Sequence, residues 1–173
     1  EEDFNYVAGT ELITNNWNLT GTSTTNPILV AASGLSKVGY PYNSGNAVAL
    51  GATGSDVNRG FNNGDSVSTG SVYAAFLVKF TSVTAAGDYF FHLGIATNNS
   101  SIFLGRVYAK LDAGNIAFGL SKSSTNTSIL PVYTAGSYSL DSTHLVVLKY
   151  TFLPEATDDE VRLFINPNLN APE

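Results

Sequence analysis

The sequence predicts an all-β fold, an antiparallel sandwich of two sheets, and three observations carry that expectation. Apolar runs of strand length recur roughly every ten to fifteen residues, with no helical period between them. Clusters of Gly, Asn, Asp and Ser separate the runs, which is turn chemistry. Only 13% of residues are charged, while nine Tyr and ten Phe stand among many Ser, Thr and Asn; that suits a neutral-polar β surface and not Lys/Glu helices.

The elements follow in order. Residues 1–12 (EEDFNYVAGTEL) are expected to seat an N-terminal strand segment through Phe4, Tyr6 and Val7. Residues 14–27 form a long loop that carries the only Trp and is closed by Pro27 before the strand ILVAAS. Residues 34–45 are irregular, with Tyr40-Pro-Tyr42 in the middle, and NAVALGA (46–52) and VNRGF (57–61) read as strands. The longest run, residues 71–80 (SVYAAFLVKF), has no Gly or Pro and reads as the central buried strand. DYFFHLGI (88–95) is a second such run, and the short polar link TSVTAAG makes the two an expected hairpin. In IFLGRVYAKL (102–111), Phe103, Gly105, Val107 and Ala109 alternate with Leu104, Arg106, Tyr108 and Lys110, the mark of a half-buried strand. DAGN turns it into IAFGLSKS, and HLVVLKYTF (144–152) pairs through PEATDDE with VRLFINP in a closing hairpin. The expected core is Phe76, Val78, Phe80, Phe91, Leu93, Val107, Phe118, Leu148, Leu163 and Ile165.

Composition also bounds function. A chain of 173 residues suits a single domain over 1–173, read as part of a larger secreted protein. A net charge of −6 with eight dispersed Lys and Arg argues against nucleic acid, which needs a basic stripe. No apolar run reaches the ~18 residues of a membrane span, so no membrane insertion is expected. Cysteine and methionine are both absent, and the chain opens on Glu-Glu-Asp-Phe, which reads as a mature exported protein or a trimmed chain in a secreted or cell-surface setting. Asn18, Asn98, Asn99 and Asn126 match the N-glycosylation acceptor pattern, one that arises readily by chance in so Asn/Ser/Thr-rich a chain.

The pieces GNAVAL (45–50), SVYAAFLVKF, GRVYAK followed by GNIAFGLS, and HLVVLKYTF with VRLFINP resemble the concanavalin A-like lectin/glucanase superfamily, and within it the laminin-G-like jelly-roll domains. The resemblance covers residues 46–167 and rests on packing patterns, with Pro167 standing where the family's closing hairpin has Gly. It implies a two-sheet antiparallel jelly roll, and the opening DFNYVAGTEL is similar to extracellular domains of large secreted Bacteroidota-type proteins.

Glucanases of that superfamily carry a Glu-x-Asp-x-(x)-Glu strand, because two carboxylates must face one groove. This chain has no such strand, and Asp158-Asp159-Glu160 reads as a solvated hairpin tip, so no enzymatic activity is expected. His92 and His144 lack partners at ligand or triad spacing and read as structural. No cofactor is required. A rim calcium, which the resemblance implies, would draw on Asp56, Asn58, Asp65 and Asp88.

Carbohydrate binding needs a flat aromatic against the sugar's apolar face and polar groups at its edge. Trp17, Tyr40 and Tyr42 lie in loop-like stretches, and Arg106 with Tyr108 and Lys110 lines one strand face. Trp17 reads equally as a cap on the core, Tyr40-Pro-Tyr42 as a loop staple, and Arg106 beside Tyr108 as a cross-strand polar face. The expected partner is a glycan or cell-surface polymer, and the expected role a binding or adhesive module. A structural unit that self-associates through β edges is the alternative, and a glycan-active hydrolase or lyase a more distant one.

Overall fold

The computed structural model describes residues 1–61, 63, 65–95, 102–123, 130–155 and 158–172. The acceptor patterns at Asn98, Asn99 and Asn126 lie outside the described residues. Strand accounts for 42% of the chain and helix for 3%, in several antiparallel sheets of which none closes into a barrel, so the protein is all-β. Its residues fall into two compact units, Glu1–Asp65 in the first and Ser66–Ile95 with the chain from residue 102 in the second.

The first unit is built from short strands and turns. A 3-10 turn (Leu12–Thr14) precedes β1 (Asn18–Thr20), which pairs antiparallel with β4 (Asp56–Asn58), and β2 (Leu29–Ala31) pairs with β3 (Ala47–Ala49). Leu12, Ile28 and Val30 are buried together, with Phe4, Tyr6, Trp17, Val48 and Val57 packed against them. The expected strands at 28–33, 46–52 and 57–61 are thus present in shortened form, whereas β1 falls inside the expected loop. The expected N-terminal strand does not form. Phe4 takes a left-handed φ of 49°, the Tyr6 N–H bonds back to the Phe4 carbonyl at 2.6 Å, and Val7 is 74% exposed. The segment is fastened instead by Glu2, whose carboxylate accepts from Tyr6 Oη at 2.9 Å and pairs with Arg59.

The second unit holds β5 (Gly70–Val78), β6 (Asp88–Gly94), β7 (Phe103–Asp112), β8 (Asn115–Ser123), β9 (Val132–Tyr133), β10 (His144–Phe152) and β11 (Glu160–Ile165). One sheet has the order β11-β10-β5, and the other is the meander β6-β7-β8-β9. Side chains from both meet in one apolar cluster: Val107, Ala109, Ile116, Phe118, Val146 and Leu148 are buried, with Phe76, Val78, Phe80, Phe91, Leu93, Leu163 and Ile165 packed on them. The whole expected core is therefore in one place, with Val107, Phe118 and Leu148 at its centre.

The expected β5–β6 hairpin is incorrect. β5 pairs with β10 from Gly70 to Val78, and β6 pairs with β7. The link between β5 and β6 is not simply polar, because Phe80 and Val83 pack into the core and draw the chain across from one sheet to the other. Phe76 of β5 then meets Phe91 of β6 across the core at 4.6 Å between ring centres.

The two later hairpins form as expected. Ala113 and Gly114, both at positive φ (49° and 83°), make the two-residue turn from β7 into β8. At the end of β11, Asn166 takes φ 52°, and its Oδ1 accepts from the Leu145 N–H at 2.9 Å. A left-handed Asn thus makes the closing turn without a glycine. His144 is buried beside it: Nε2–H donates to the Ser139 carbonyl at 2.9 Å, and Nδ1 accepts from Asn166 Nδ2 at 3.2 Å.

Phe118 is fully buried, in ring contact with Phe80, Tyr138 and His144, whereas Phe76 is only partly buried. Phe118→Ala is therefore expected to cost ~3–5 kcal/mol in denaturant titration, and Phe76→Ala less. Equal or reversed losses would contradict this core.

Candidate functional site

The outward face of the β6–β9 sheet gathers a half-buried layer of aromatic and cationic side chains: Tyr89, Phe103, Arg106, Tyr108, Lys110 and Tyr133. Register explains why. Tyr89, Tyr108, Gly119 and Tyr133 lie opposite one another across four strands, and Arg106 and Lys110 flank Tyr108 on β7. On β8 the outward residues are small: Ala117, Gly119 and Ser121 are all buried, although they point away from the core. Larger neighbours cover them. A Cβ at Gly119 would come within 2.6 Å of the Tyr133 ring, so only glycine lets that ring lie down on the sheet.

Within this layer the Arg106 guanidinium lies over Tyr89 (4.8 Å to the ring centre) and over Phe103 (4.6 Å). Its Nη1 donates to Tyr108 Oη at 3.1 Å. Lys110 Nζ sits 4.3 Å from the centre of Tyr133, and the Tyr108 and Tyr133 rings meet edge to face at 6.4 Å. His92 packs against Phe103 at 4.4 Å and donates Nδ1–H to the Leu93 carbonyl. Burial, then the neighbouring Tyr108 and Asp88, raises the Tyr133 phenol above its ordinary value, so it stays a neutral donor.

Two departures from strict alternation build this face. β6 is bulged, so Phe90 and Phe91 both face the core while Tyr89 and His92 face out. On β7, Gly105 has φ 55°, and Phe103 joins Arg106 and not the Val107–Ala109 set with which simple alternation groups it. The expected pair Arg106 and Tyr108 is thus brought together, and Tyr89, Phe103 and Tyr133 join it. The signal of Tyr89 and Phe103 in the sequence was weak, since it depends on those two shifts, and that of Tyr133 depends on the pairing of β9 with β8.

The other expected residues lie in the first unit. Trp17 stacks on Phe4 at 5.8 Å and packs against Leu12, Ile28 and Val30; its Nε1 is buried and, among the described residues, has no hydrogen-bond partner. Of its flanking amides, Asn15 Nδ2 is taken by Thr10 Oγ1 and the Glu11 carbonyl, both at 3.1 Å. Tyr40 and Tyr42 meet edge to face at 5.6 Å, and Tyr42 is 58% exposed. Burial and then the nearby Glu1 raise the Tyr40 phenol. No ring contact among the described residues joins this pair to Trp17.

For a metal, Asp56 and Asn58 are two residues apart on β4, Asn58 Nδ2 donates to Thr20 Oγ1 at 2.7 Å, and Asp88, in the second unit, accepts the Tyr89 N–H at 2.8 Å. Asp65 belongs to the first unit. Among the described residues no three His, Cys, Asp or Glu side chains cluster as metal ligands. A cleft between Ile13, Pro27, Ile28 and Val57 encloses about 100 Å³, well short of the ~300 Å³ where small-molecule sites begin.

The acidic hairpin tip differs from expectation. Asp159 is half-buried, accepting from the Leu153 N–H at 3.0 Å and from Tyr150 Oη at 2.8 Å. It is a fastener, not a solvated charge. Glu160 pairs with Arg162 at 3.2 Å. No family model, curated protein or solved structure matches the chain. Among the described residues no helix is long and apolar enough to cross a membrane.

Two outcomes follow from these placements. Trp17→Ala is expected to lower stability by on the order of 2 kcal/mol, because a partly buried indole leaves its cluster; a change below about 0.5 kcal/mol, the surface-site norm, would contradict the packing. The Leu153 N–H first, and the Tyr150 hydroxyl second, hold the Asp159 carboxyl below its ordinary value of 3.8. Its stabilisation is then fully present above the unfolded value and lost as pH falls through the folded one. Asp159→Asn should therefore destabilise at neutral pH, with the gap to the parent protein closing as the pH falls below the ordinary carboxylate range. A gap independent of pH would refute the assignment.

Proposed function

We propose that this chain is a non-catalytic extracellular binding module for a glycan or other cell-surface polymer, carried on a jelly-roll sandwich of the concanavalin A-like kind. The cation–aromatic layer on the outward face of the β6–β9 sheet is the observation that carries the reading. Tyr108 and Tyr133 present rings and hydroxyls next to one another, with the Arg106 guanidinium bonded to the Tyr108 hydroxyl and the Lys110 ammonium over the Tyr133 ring. Rigid rings and fixed donors on a strand scaffold are what sugar recognition uses. A three-stranded and a four-stranded antiparallel sheet sharing one core supports the sandwich. The engagement of Asp159 and Glu160 in local bonds supports a role without carboxylate catalysis.

A second reading, self-association by strand addition, is favoured by β5, which ends its sheet's order along all nine of its residues. A glycan array probed with the intact chain and with Tyr108→Ala separates the two. Glycan binding by the parent, weakened by about tenfold or more in a variant with unchanged circular dichroism, is the expected result. Absence of any glycan signal, together with concentration-dependent oligomers in sedimentation, would replace the first reading with the second.

A further inference from the structure

Building on the reading of this face as a glycan site, we propose that its ligand is an acidic polysaccharide, with Arg106 and Lys110 meeting repeated carboxylate or sulfate groups and Tyr108 and Tyr133 meeting the sugar rings. The charge distribution points that way. Arg59 and Arg162 each have a carboxylate partner, Glu2 and Glu160. Arg106 and Lys110 have none among the described residues and are held by rings alone, apart from the Arg106–Tyr108 hydrogen bond. In a chain of net charge −6, two cations without a carboxylate partner among the described residues thus stand on one strand face. Two acids border this layer and are engaged by backbone: Asp88 at the start of β6, whose Oδ1 accepts the Tyr89 N–H, and Asp112 at the end of β7, whose Oδ2 accepts the Gly136 N–H.

The guanidinium is also set for the task. A guanidinium has five N–H donors in a planar fork that matches carboxylate or sulfate. In Arg106 one Nη donor goes to Tyr108, and Nε is buried with no hydrogen-bond partner among the described residues. Two rings and a phenol already fix its orientation, so little side-chain freedom is left to lose on meeting an anion. Lys110 lies four residues along the same strand face, about 13 Å away at strand rise. A polymer that repeats its charge can meet both.

The test compares polymers that share a backbone and differ in charge: polygalacturonate against its fully methyl-esterified form, and dextran sulfate against dextran, in affinity electrophoresis. The parent protein is expected to prefer one charged member by about tenfold or more, since charge-assisted hydrogen bonds are lost in the neutral one. Arg106→Gln with Lys110→Gln should bring that preference within about twofold. If that double variant does not fold, the salt arm decides: retention by the charged polymer should collapse between low salt and about 0.5 M, where screening is strong. Equal retention of charged and neutral members overturns the acidic ligand while leaving a glycan site standing, as does a neutral array hit with neither charged polymer retained. Equal retention by polyglutamate or polyuridylate overturns it in favour of charge alone. No retention by any polymer and no array signal removes the glycan reading itself.

Discussion

β8 is buried on both of its faces, and the second unit depends on that. Ile116 and Phe118 fill the space between the sheets, while Ala117, Gly119 and Ser121 face the other way and are buried all the same. On that outer side, side chains of the neighbouring strands form the lid, the Tyr133 ring over Gly119 among them. Small residues on β8 make that lid possible, because they let Tyr133 lie flat and leave room for the Lys110 stem to cross toward its ring. Packing between the sheets and the chemistry of the outer face are thus two results of one alternation, small residues outward and large residues inward.

Legibility in the sequence followed the range of the interactions. The β7–β8 hairpin and the closing β10–β11 hairpin were readable, because their turns and alternation are local. The core list was readable because large apolar residues in strands have few other places to go. Which strands pair was not: the β5–β10 partnership joins residues some seventy positions apart, and no local pattern encodes it. Phe80 and Val83 were the overlooked sign that residues 79–87 cross between sheets and do not reverse within one.

The candidate site was half legible for the same reason. Arg106, Tyr108 and Lys110 fall on one strand face by simple alternation, and they are together. Tyr89 and Phe103 join them only through the β6 bulge and the left-handed Gly105, features that a period-two reading cannot anticipate. Trp17 drew attention by its flanking amides, yet its ring packs with Phe4 beside Leu12 and Val30. Asp159 was similarly masked by its acidic neighbours, since only the folded hairpin brings Tyr150 and the Leu153 N–H to its carboxylate. Polar side chains fasten several loop ends in this chain without cysteine: Glu2, Asp112 with Gly136, Asp159 and Asn166.

The last of these fasteners bears on chemical ageing. An asparagine in an open turn loses its amide when the backbone nitrogen of the next residue attacks the side-chain carbonyl and closes a five-membered imide, and glycine in the next position makes that closure easiest. Asn166 sits in such a turn, at φ 52°. It is followed by Pro167, whose ring nitrogen carries no proton to release and so cannot close the imide. Loss of this amide would turn the donor facing His144 Nδ1 into an acceptor and set two acceptors against each other at the buried end of β10. Proline after this asparagine therefore protects the closing turn from a slow covalent lesion at the residue that holds it shut.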